Sequence, residues 1–439
     1  MAQPIFNTLT RGQPRALAEV RSMILGRTPH AVLLVGPSSA GKTTLALDLA
    51  AGLLCRDPDP EARPCRACRG CHLVATGNHP DLHRLAPEGP GGQVRIGAAT
   101  DPEPGTVRHL IGELALLPVE GGARVAIVEQ AHRLNEDAQN ALLKLLEEPP
   151  SGVTIVLCAD DDECLLPTVR SRCVRIRLGT VGIREIELWL GETGSVDAPR
   201  AARLARLAGG RPGLALAYAR SADAERLRGE VARGLRDMLA QGRHERLGAV
   251  RKLLKSAAAL DAALESGRLE GTSAGTGETV GGGAETPSST RRRRGRAPEP
   301  ASAASASAPS ASAASASAAS DGAEGATNEE SATPRLAASD RRSAAATLIE
   351  IWASLGRDLA VSGRGGARQL READLVDEIP AAAADLDPAS LTAFLTQLSD
   401  VAGKLDDNVN PELALDVLAL SWPRPLPPAS AAATLGHRP

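Results

Sequence analysis

The sequence predicts an α/β protein with a parallel β-sheet, followed by helical regions. Three observations support this fold class. Five short apolar runs alternate with segments of helical periodicity between residues 31 and 178, which is typical of a parallel sheet covered by helices on both faces. The first run, 31–35, ends directly in a glycine-rich loop that leads into a helix. From Thr180 onward apolar residues recur with helical spacing, so these later regions are predicted to be all-α.

Length and composition limit the possible classes of protein. A chain of 439 residues has room for two or three domains. Its net charge of −3 gives no electrostatic argument for nucleic acid as the dominant ligand. No apolar run is long enough to span a membrane, and the first residues lack a signal-peptide pattern. We therefore expect a cytoplasmic protein without a membrane partner, in which the seven cysteines are reduced.

The glycine-rich loop after the first strand fits the phosphate-binding pattern G-x-x-x-x-G-K-[ST]. With the next threonine, its residues are Gly36, Pro37, Ser38, Ser39, Ala40, Gly41, Lys42, Thr43 and Thr44. Backbone N–H groups of such a loop point at phosphate, and the helix N-terminus adds positive potential. Lys42 is expected to reach the β- and γ-phosphates, and the Thr43 hydroxyl to ligate Mg²⁺. The loop predicts a site for ATP and Mg²⁺, or descent from one; the alternative is a chance glycine-rich turn.

Four cysteines follow the predicted loop helix with the spacing C-x9-C-x2-C-x2-C. They are Cys55, Cys65, Cys68 and Cys71. Four thiolates can surround one tetrahedral Zn²⁺ at about 2.3 Å, and a site with all four positions filled is structural. His72 could compete as a ligand, and ordinary or redox-active cysteines are the alternatives. The pattern predicts a structural zinc module over residues 55–80.

The other elements of the predicted sheet are assigned from apolar periodicity and capping residues. Strands are predicted at 81–85, 125–128, 154–158 and 174–178. Helices are predicted from about Pro14, over 43–54, over 105–117, after the N-cap residue Asn135, and over 165–172.

Several motifs, found together, resemble the bacterial clamp-loader AAA+ ATPases, which include the delta-prime and gamma/tau subunits of DNA polymerase III. They are the phosphate-binding loop, the cysteine cluster, residues 79–83 (HPDLH), 140–150 (NALLKLLEEPP), 171–173 (SRC), 210–216 (GRPGLAL) and 408–415 (NVNPELAL). The likeness covers about 1–265 and 341–423. It implies an AAA+ domain over 1–178, a helical lid over 179–221, and a helical collar domain formed by 222–267 and 341–423.

Residues 268–340 interrupt the predicted collar and lack core-forming residues. Residues 301–320 contain only Ala, Ser and one Pro, so this stretch cannot offset its own ordering entropy, and a disordered insertion is predicted. An arginine run at 291–296 is either a solvated charge cluster or a tether to phosphate backbones. The tail, 424–439, is rich in Pro and Ala and is predicted to be loose.

The residues expected to hydrolyse ATP depart from the pattern of the family. Glu129 stands where the resemblance places the Mg²⁺-binding Asp, and Gln130 replaces the catalytic Glu. A neutral amide cannot serve as a general base, a role worth about 10²–10⁴ in rate. Leu214 occupies the lid position of an expected Arg, with Arg211 three residues earlier, and Asp160 lies where a Thr or Asn is usual. Weak ATPase activity, or none, is predicted for the chain alone.

Arg172, by contrast, is retained in the SRC motif. The resemblance implies an arginine finger that acts on the γ-phosphate of a neighbouring subunit, where such a residue contributes about 10³–10⁵ to the rate. The alternative is an ordinary surface charge at a helix end.

Two functions follow from the resemblance. The first is a mainly structural stator in a hetero-pentamer with gamma/tau and delta subunits, a complex that loads the sliding clamp onto primed DNA. Glu129, Gln130, Leu214 and the 408–415 segment favour it. The alternative is an ATP-hydrolysing motor subunit of the same complex, which the intact phosphate-binding loop favours. A zinc-dependent DNA-binding adaptor is less consistent with the sequence, because no basic recognition helix is found.

Overall fold

A single five-stranded parallel sheet organises the N-terminal part of the chain. The computed structural model describes residues 7–87, 92–120, 122–194, 196–273, 337–366, 369–406 and 409–425. The strands are β1 (Ala31–Val35), β2 (Leu82–Leu85), β3 (Arg124–Val128), β4 (Val153–Ala159) and β5 (Val174–Arg177), in the spatial order β2-β3-β4-β1-β5. Each lies within one residue of its predicted bounds at either end, and the predicted parallel sheet is confirmed.

Two apolar cores lie on the two faces of this sheet, because successive side chains of a strand point to opposite faces. Val32 and Leu34 pack towards α1 (Pro14–Leu25), α2 (Lys42–Leu53) and α3 (Arg69–Ala75). Leu33 and Val35 pack towards α4 (Val107–Leu114), α5 (Glu136–Glu147) and α6 (Pro167–Arg170). β1 is fully buried between β4 and β5, so the loop that follows it is flanked by the carboxyl ends of these two strands.

Caps and tertiary contacts set the ends of these helices. The Asn135 side chain accepts a hydrogen bond of 2.9 Å from the Ala138 N–H, which confirms it as the N-cap of α5. α4 is shorter than the predicted 105–117. Thr106 caps its start, and the Arg124 guanidinium binds the Leu117 carbonyl oxygen at 2.6 Å beyond its end. α6 is likewise shorter than 165–172, because it begins at Pro167, whose fixed φ and missing N–H suit a first helical position.

Nine further helices follow the sheet. They are α7 (Ile183–Glu192), α8 (Ala198–Leu207), α9 (Pro212–Arg220), α10 (Ala222–Asp237), α11 (Arg243–Ser273), α12 (Ala338–Ser362), α13 (Ile379–Ala384), α14 (Pro388–Asp406) and α15 (Pro411–Ser421), as far as the described ranges show. One continuous apolar core runs through them. At its centre the rings of Trp352, Phe394 and Trp422 have centroids 4.6–5.5 Å apart. None of the helices in the described residues is long and apolar enough to cross a membrane.

The flanks of the predicted insertion are helical, which corrects the predicted bounds of 268–340. α11 continues to Ser273 and α12 begins at Ala338. The two helices contact one another, and the Thr347 hydroxyl donates to Asp261 Oδ1 at 2.6 Å. Residues 274–336, with the arginine run, and the tail from 426 lie outside the described residues.

Candidate nucleotide and metal sites

The phosphate-binding loop begins at Gly36, where β1 ends, and α2 begins six residues later at Lys42. Gly41, the N-cap of α2, has φ +102°, a left-handed conformation that only glycine adopts without strain. The loop curls around the Lys42 ammonium group, which donates to the Gly36 and Pro37 carbonyl oxygens at 2.7 and 2.8 Å. The local fold therefore matches the shape that the sequence pattern predicts.

Asp160 supplies the third partner of the Lys42 ammonium group, with an Oδ1–Nζ distance of 2.7 Å. An ammonium group has three N–H donors, so two carbonyls and one carboxylate match its capacity. The Lys42 side chain is 9% exposed, and that of Asp160 is 40% exposed. This pair was not predicted from the sequence, because it depends on β4 lying next to β1 in the sheet.

Glu129 follows β3 at the same sheet edge, and its carboxylate is already paired. Arg84 of β2 donates from Nε and Nη2 to Glu129 Oε1 at 2.9 and 2.5 Å. Gln130 has φ +49°, an uncommon conformation for a residue other than glycine. Both residues line a cavity of about 850 Å³ together with Lys42, Thr43 and Thr44. The structure thus places Glu129 and Gln130 in one cavity with the loop residues, and Arg84 contacts this group through Glu129.

Helix α9 closes the other side of this cavity. The Gly213 N–H donates to the Ser39 carbonyl oxygen at 3.0 Å, so the start of α9 lies directly against the loop. Leu214 is 5% exposed and belongs to the helical core. Arg211 pairs with Glu350 of α12. Burial alone would raise the pKa of Glu350, but the Arg211 guanidinium holds it below its usual value.

The four predicted zinc ligands lie together between α2 and α3. Their sulfur atoms are all within 4.8 Å of one another. The Sγ of Cys55 is 3.5 Å from that of Cys65 and 3.8 Å from that of Cys68, and a tetrahedron with metal–sulfur bonds of about 2.3 Å has edges of about 3.8 Å. His72 is exposed on α3 and is not part of the cluster. The donor set and its spacing fit one tetrahedral Zn²⁺.

Backbone N–H groups of the cysteine loop point at the sulfur atoms. The N–H groups of Cys65, Cys68 and Cys71 donate to the preceding sulfur of the cluster at 3.3–3.5 Å. At Cys68, burial raises the pKa, but backbone donors outweigh burial and lower it to about 6. Burial raises the pKa of Cys55 and Cys71 above the usual value. A divalent cation is therefore the natural partner that would keep all four sulfurs deprotonated.

Asp48 of α2 connects the cysteine loop to the nucleotide domain. It is fully buried and accepts hydrogen bonds from the Leu9 and Thr10 N–H groups at 3.0 and 2.9 Å. The Thr10 hydroxyl donates to it at 2.6 Å, and the Arg66 guanidinium forms an ion pair with it. Arg66 lies between two predicted zinc ligands, so Asp48 holds the N-terminal segment and the cysteine loop on one helix. This role of Asp48 was not predicted from the sequence.

Arg172 lies at the opposite sheet edge from the phosphate-binding loop. It lies two residues before β5, whose Val174 pairs with Val32, the second residue of β1. The loop begins beyond the far end of β1, and five residues at about 3.3 Å each span about 16 Å. Arg172 donates to the Thr168 carbonyl oxygen at 2.8 Å and pairs with Glu147 at the end of α5. Its side chain is 33% exposed.

The parallel sheet, the loop after β1 and the helices on both faces define a P-loop domain of the AAA+ class, as predicted. The particular resemblance is confirmed by comparison with known proteins. Residues 12–181 match the family model described as DNA polymerase III, delta subunit.

Three relatives show the extent of this similarity. The delta-prime subunit of DNA polymerase III from Pseudomonas aeruginosa is 36% identical over 239 residues, which cover 54% of this chain and 65% of that protein. The delta-prime subunit from Escherichia coli K12 is 38% identical over 200 residues, 45% of this chain and 57% of that protein. The tau subunit from the same strain is 33% identical over 198 residues, 44% of this chain and 29% of that protein. The chain thus spans less than two thirds of each relative.

Proposed function

We propose that this chain is a delta-prime-like subunit of the DNA polymerase III clamp loader, a mainly structural stator that lends Arg172 to a neighbouring ATPase. The observation that carries the proposal is the position of Arg172, about 16 Å of β-strand away from the loop of its own chain. An arginine placed there cannot reach a phosphate on Lys42 of the same chain. Its only route to a γ-phosphate is the nucleotide of an adjacent subunit.

The nucleotide site of the chain itself supports the proposal that the chain is a stator. Glu129, the candidate metal ligand, is neutralised by Arg84 at 2.5–2.9 Å. Gln130 offers no carboxylate to activate water, and Leu214 is buried where a charge would be needed. Binding of MgATP through Lys42 and Thr43 is compatible with this site, whereas rapid hydrolysis is not.

The partners follow from the same proposal. Gamma/tau and delta subunits complete a hetero-pentamer, and the sliding clamp and primed DNA are the substrates of the whole complex. A complex that serves replication of a bacterial chromosome works in the cytoplasm. Zn²⁺ bound by Cys55, Cys65, Cys68 and Cys71 is structural, because four sulfur ligands leave no open position for a substrate.

The test replaces Arg172 by Ala in the complex reconstituted with its partner subunits. We expect the clamp- and DNA-stimulated ATPase rate to fall by at least about 10³-fold at the site facing this chain, because an arginine finger contributes that much. ATP binding to the isolated chain should not change. Arg170→Ala, on the last turn of α6, is the matched control and should leave the ATPase rate intact.

The alternative function is an ATP-hydrolysing motor like gamma/tau. The intact loop and its cavity of about 850 Å³ favour it. Lys42→Ala decides between the two functions in the same assay. If Lys42→Ala abolished turnover at the site of this chain while Arg172→Ala had no effect, the chain would be the motor and the stator proposal would be wrong.

A further inference from the structure

Three carboxylates that line the nucleotide cavity are each paired with a cation of the chain itself. Lys42 is paired with Asp160, Arg84 with Glu129, and Arg211 with Glu350. Lys42 and Arg211 line the cavity themselves, and each is thus neutralised by a carboxylate of the chain. The attraction of the Lys42 ammonium group for anions is correspondingly reduced.

Asp160 differs from the other two carboxylates because it pairs with the residue that must contact phosphate. Val35 of β1 pairs with Ala159 of β4, so the loop and Asp160 leave neighbouring strands at the same level. The Gly36 N–H donates to the Ala159 carbonyl oxygen at 3.3 Å, which fixes this relation. The Asp160 carboxylate therefore lies at the same sheet edge as the loop, where it contacts the Lys42 ammonium group at 2.7 Å.

His132 holds Asp160 in this position. The Asp160 N–H donates to His132 Nδ1 at 3.2 Å, and His132 Nε2 lies 4.0 Å from Asp160 Oδ2. The backbone of Asp160 is thus anchored on both sides, by the sheet and by the imidazole ring. Rotation of the side chain alone can separate the carboxylate from Lys42, and 40% of this side chain is exposed to solvent.

We propose that Asp160 is a specificity-determining residue of the nucleotide site: its carboxylate takes the place of a phosphate oxygen on Lys42 and weakens the binding of nucleoside triphosphates. Two like charges within a few ångströms repel strongly in a partly enclosed site. A bound triphosphate must displace the Asp160 carboxylate and then lie beside it, and its γ-phosphate carries the largest charge near Lys42. The inference rests on the proposal that this loop is a nucleotide site, and it explains how Lys42 can stay neutralised without nucleotide.

The test compares the binding of MgATP and MgADP to the full chain and its Asp160→Asn variant by isothermal titration calorimetry. Asparagine keeps the size of the side chain and removes its charge. We expect MgATP to bind at least about tenfold more tightly to the variant, equivalent to about 1.4 kcal/mol, with a smaller gain for MgADP. Adding Lys42→Ala to the variant should abolish the gain. Glu163→Gln, an exposed change of the same charge four residues from β4, should bind both nucleotides like the parent.

The outcomes are distinct. Affinities for MgATP within threefold of each other in the parent and Asp160→Asn would overturn the inference, and so would undetectable binding by both proteins. Asp160→Ser is the second variant if the asparagine protein does not fold, and it must show the same gain. None of these results bears on the stator proposal, because Arg172→Ala is measured at the nucleotide of a neighbouring subunit.

Discussion

Replacing Asp48 by Ala should strongly destabilise the AAA+ domain and loosen the zinc module. Asp48 is fully buried, and it receives hydrogen bonds from the Leu9 N–H, the Thr10 N–H and the Thr10 hydroxyl at 2.6–3.0 Å. It also pairs with Arg66. Alanine leaves all of these donors without their acceptor at a fully buried position.

The expected loss in the free energy of unfolding follows from these contacts of Asp48. Removing one partner of a buried ion pair costs about 3–5 kcal/mol, because the other charge stays buried without compensation. A domain is stable by only about 5–15 kcal/mol, so this loss is a large share of the total. Thr10→Val removes a single hydrogen bond to the same carboxylate and should cost about 1 kcal/mol.

Urea titration followed by far-UV circular dichroism measures the loss, and Arg66→Ala completes a double-mutant cycle with Asp48→Ala. We expect a coupling energy of about 1–3 kcal/mol between the two residues. Zinc should also pass to a chelator faster in both variants, because Arg66 lies between two of the proposed zinc ligands, Cys65 and Cys68. A loss below about 1 kcal/mol in Asp48→Ala, or additive effects in the cycle, would refute the idea that Asp48 holds the cysteine loop on α2.

Two further predictions concern metal content and pH. The Cys68→Ser variant should lose the single equivalent of zinc, and its residues 55–80 should become sensitive to protease. The reason is that structural zinc contributes about 10–16 kcal/mol to folding in small peptides. The control variant Cys164→Ser, whose cysteine lies outside the cluster, should keep a full equivalent of zinc. Burial raises the pKa of Asp81, but the Val119 and Glu120 N–H groups and Arg124 outweigh burial and hold it below its usual value. The stability that this carboxylate contributes is present above about pH 4 and is lost as the pH falls through its folded-state pKa. Thermal unfolding of the parent and of Asp81→Asn should therefore be measured between about pH 5 and 2. The unfolding temperature of Asp81→Asn should fall less steeply with decreasing pH than that of the parent.

Local signals in the sequence were sufficient for much of the fold. The five strands follow from short apolar runs, and the N-cap Asn135 from its side-chain chemistry. The cysteine spacing also predicted a cluster that the structure assembles. These features depend on residues close together in the chain, where backbone geometry alone limits the arrangement.

The charge pairs of the site could not be predicted in the same way. Arg84 meets Glu129 because β2 pairs with β3, and Asp160 meets Lys42 because β4 pairs with β1. A sequence shows that strands exist but does not give their spatial order, and only that order fixes which charges meet. The shortening of α4 has a similar cause, because Arg124 of a later strand binds the Leu117 carbonyl oxygen.

The two edges of the sheet separate the two proposed roles of the chain. The phosphate-binding loop, in which Lys42 is paired with Asp160, lies at the carboxyl ends of the strands, whereas Arg172 lies at their amino ends. A change at one edge should therefore leave the other intact: Asp160→Asn alters nucleotide affinity of this chain without affecting hydrolysis by a neighbour, and Arg172→Ala does the reverse. A motor subunit would couple the two, since its own turnover drives the complex. Independent effects of these two substitutions on one reconstituted complex are thus what a stator requires.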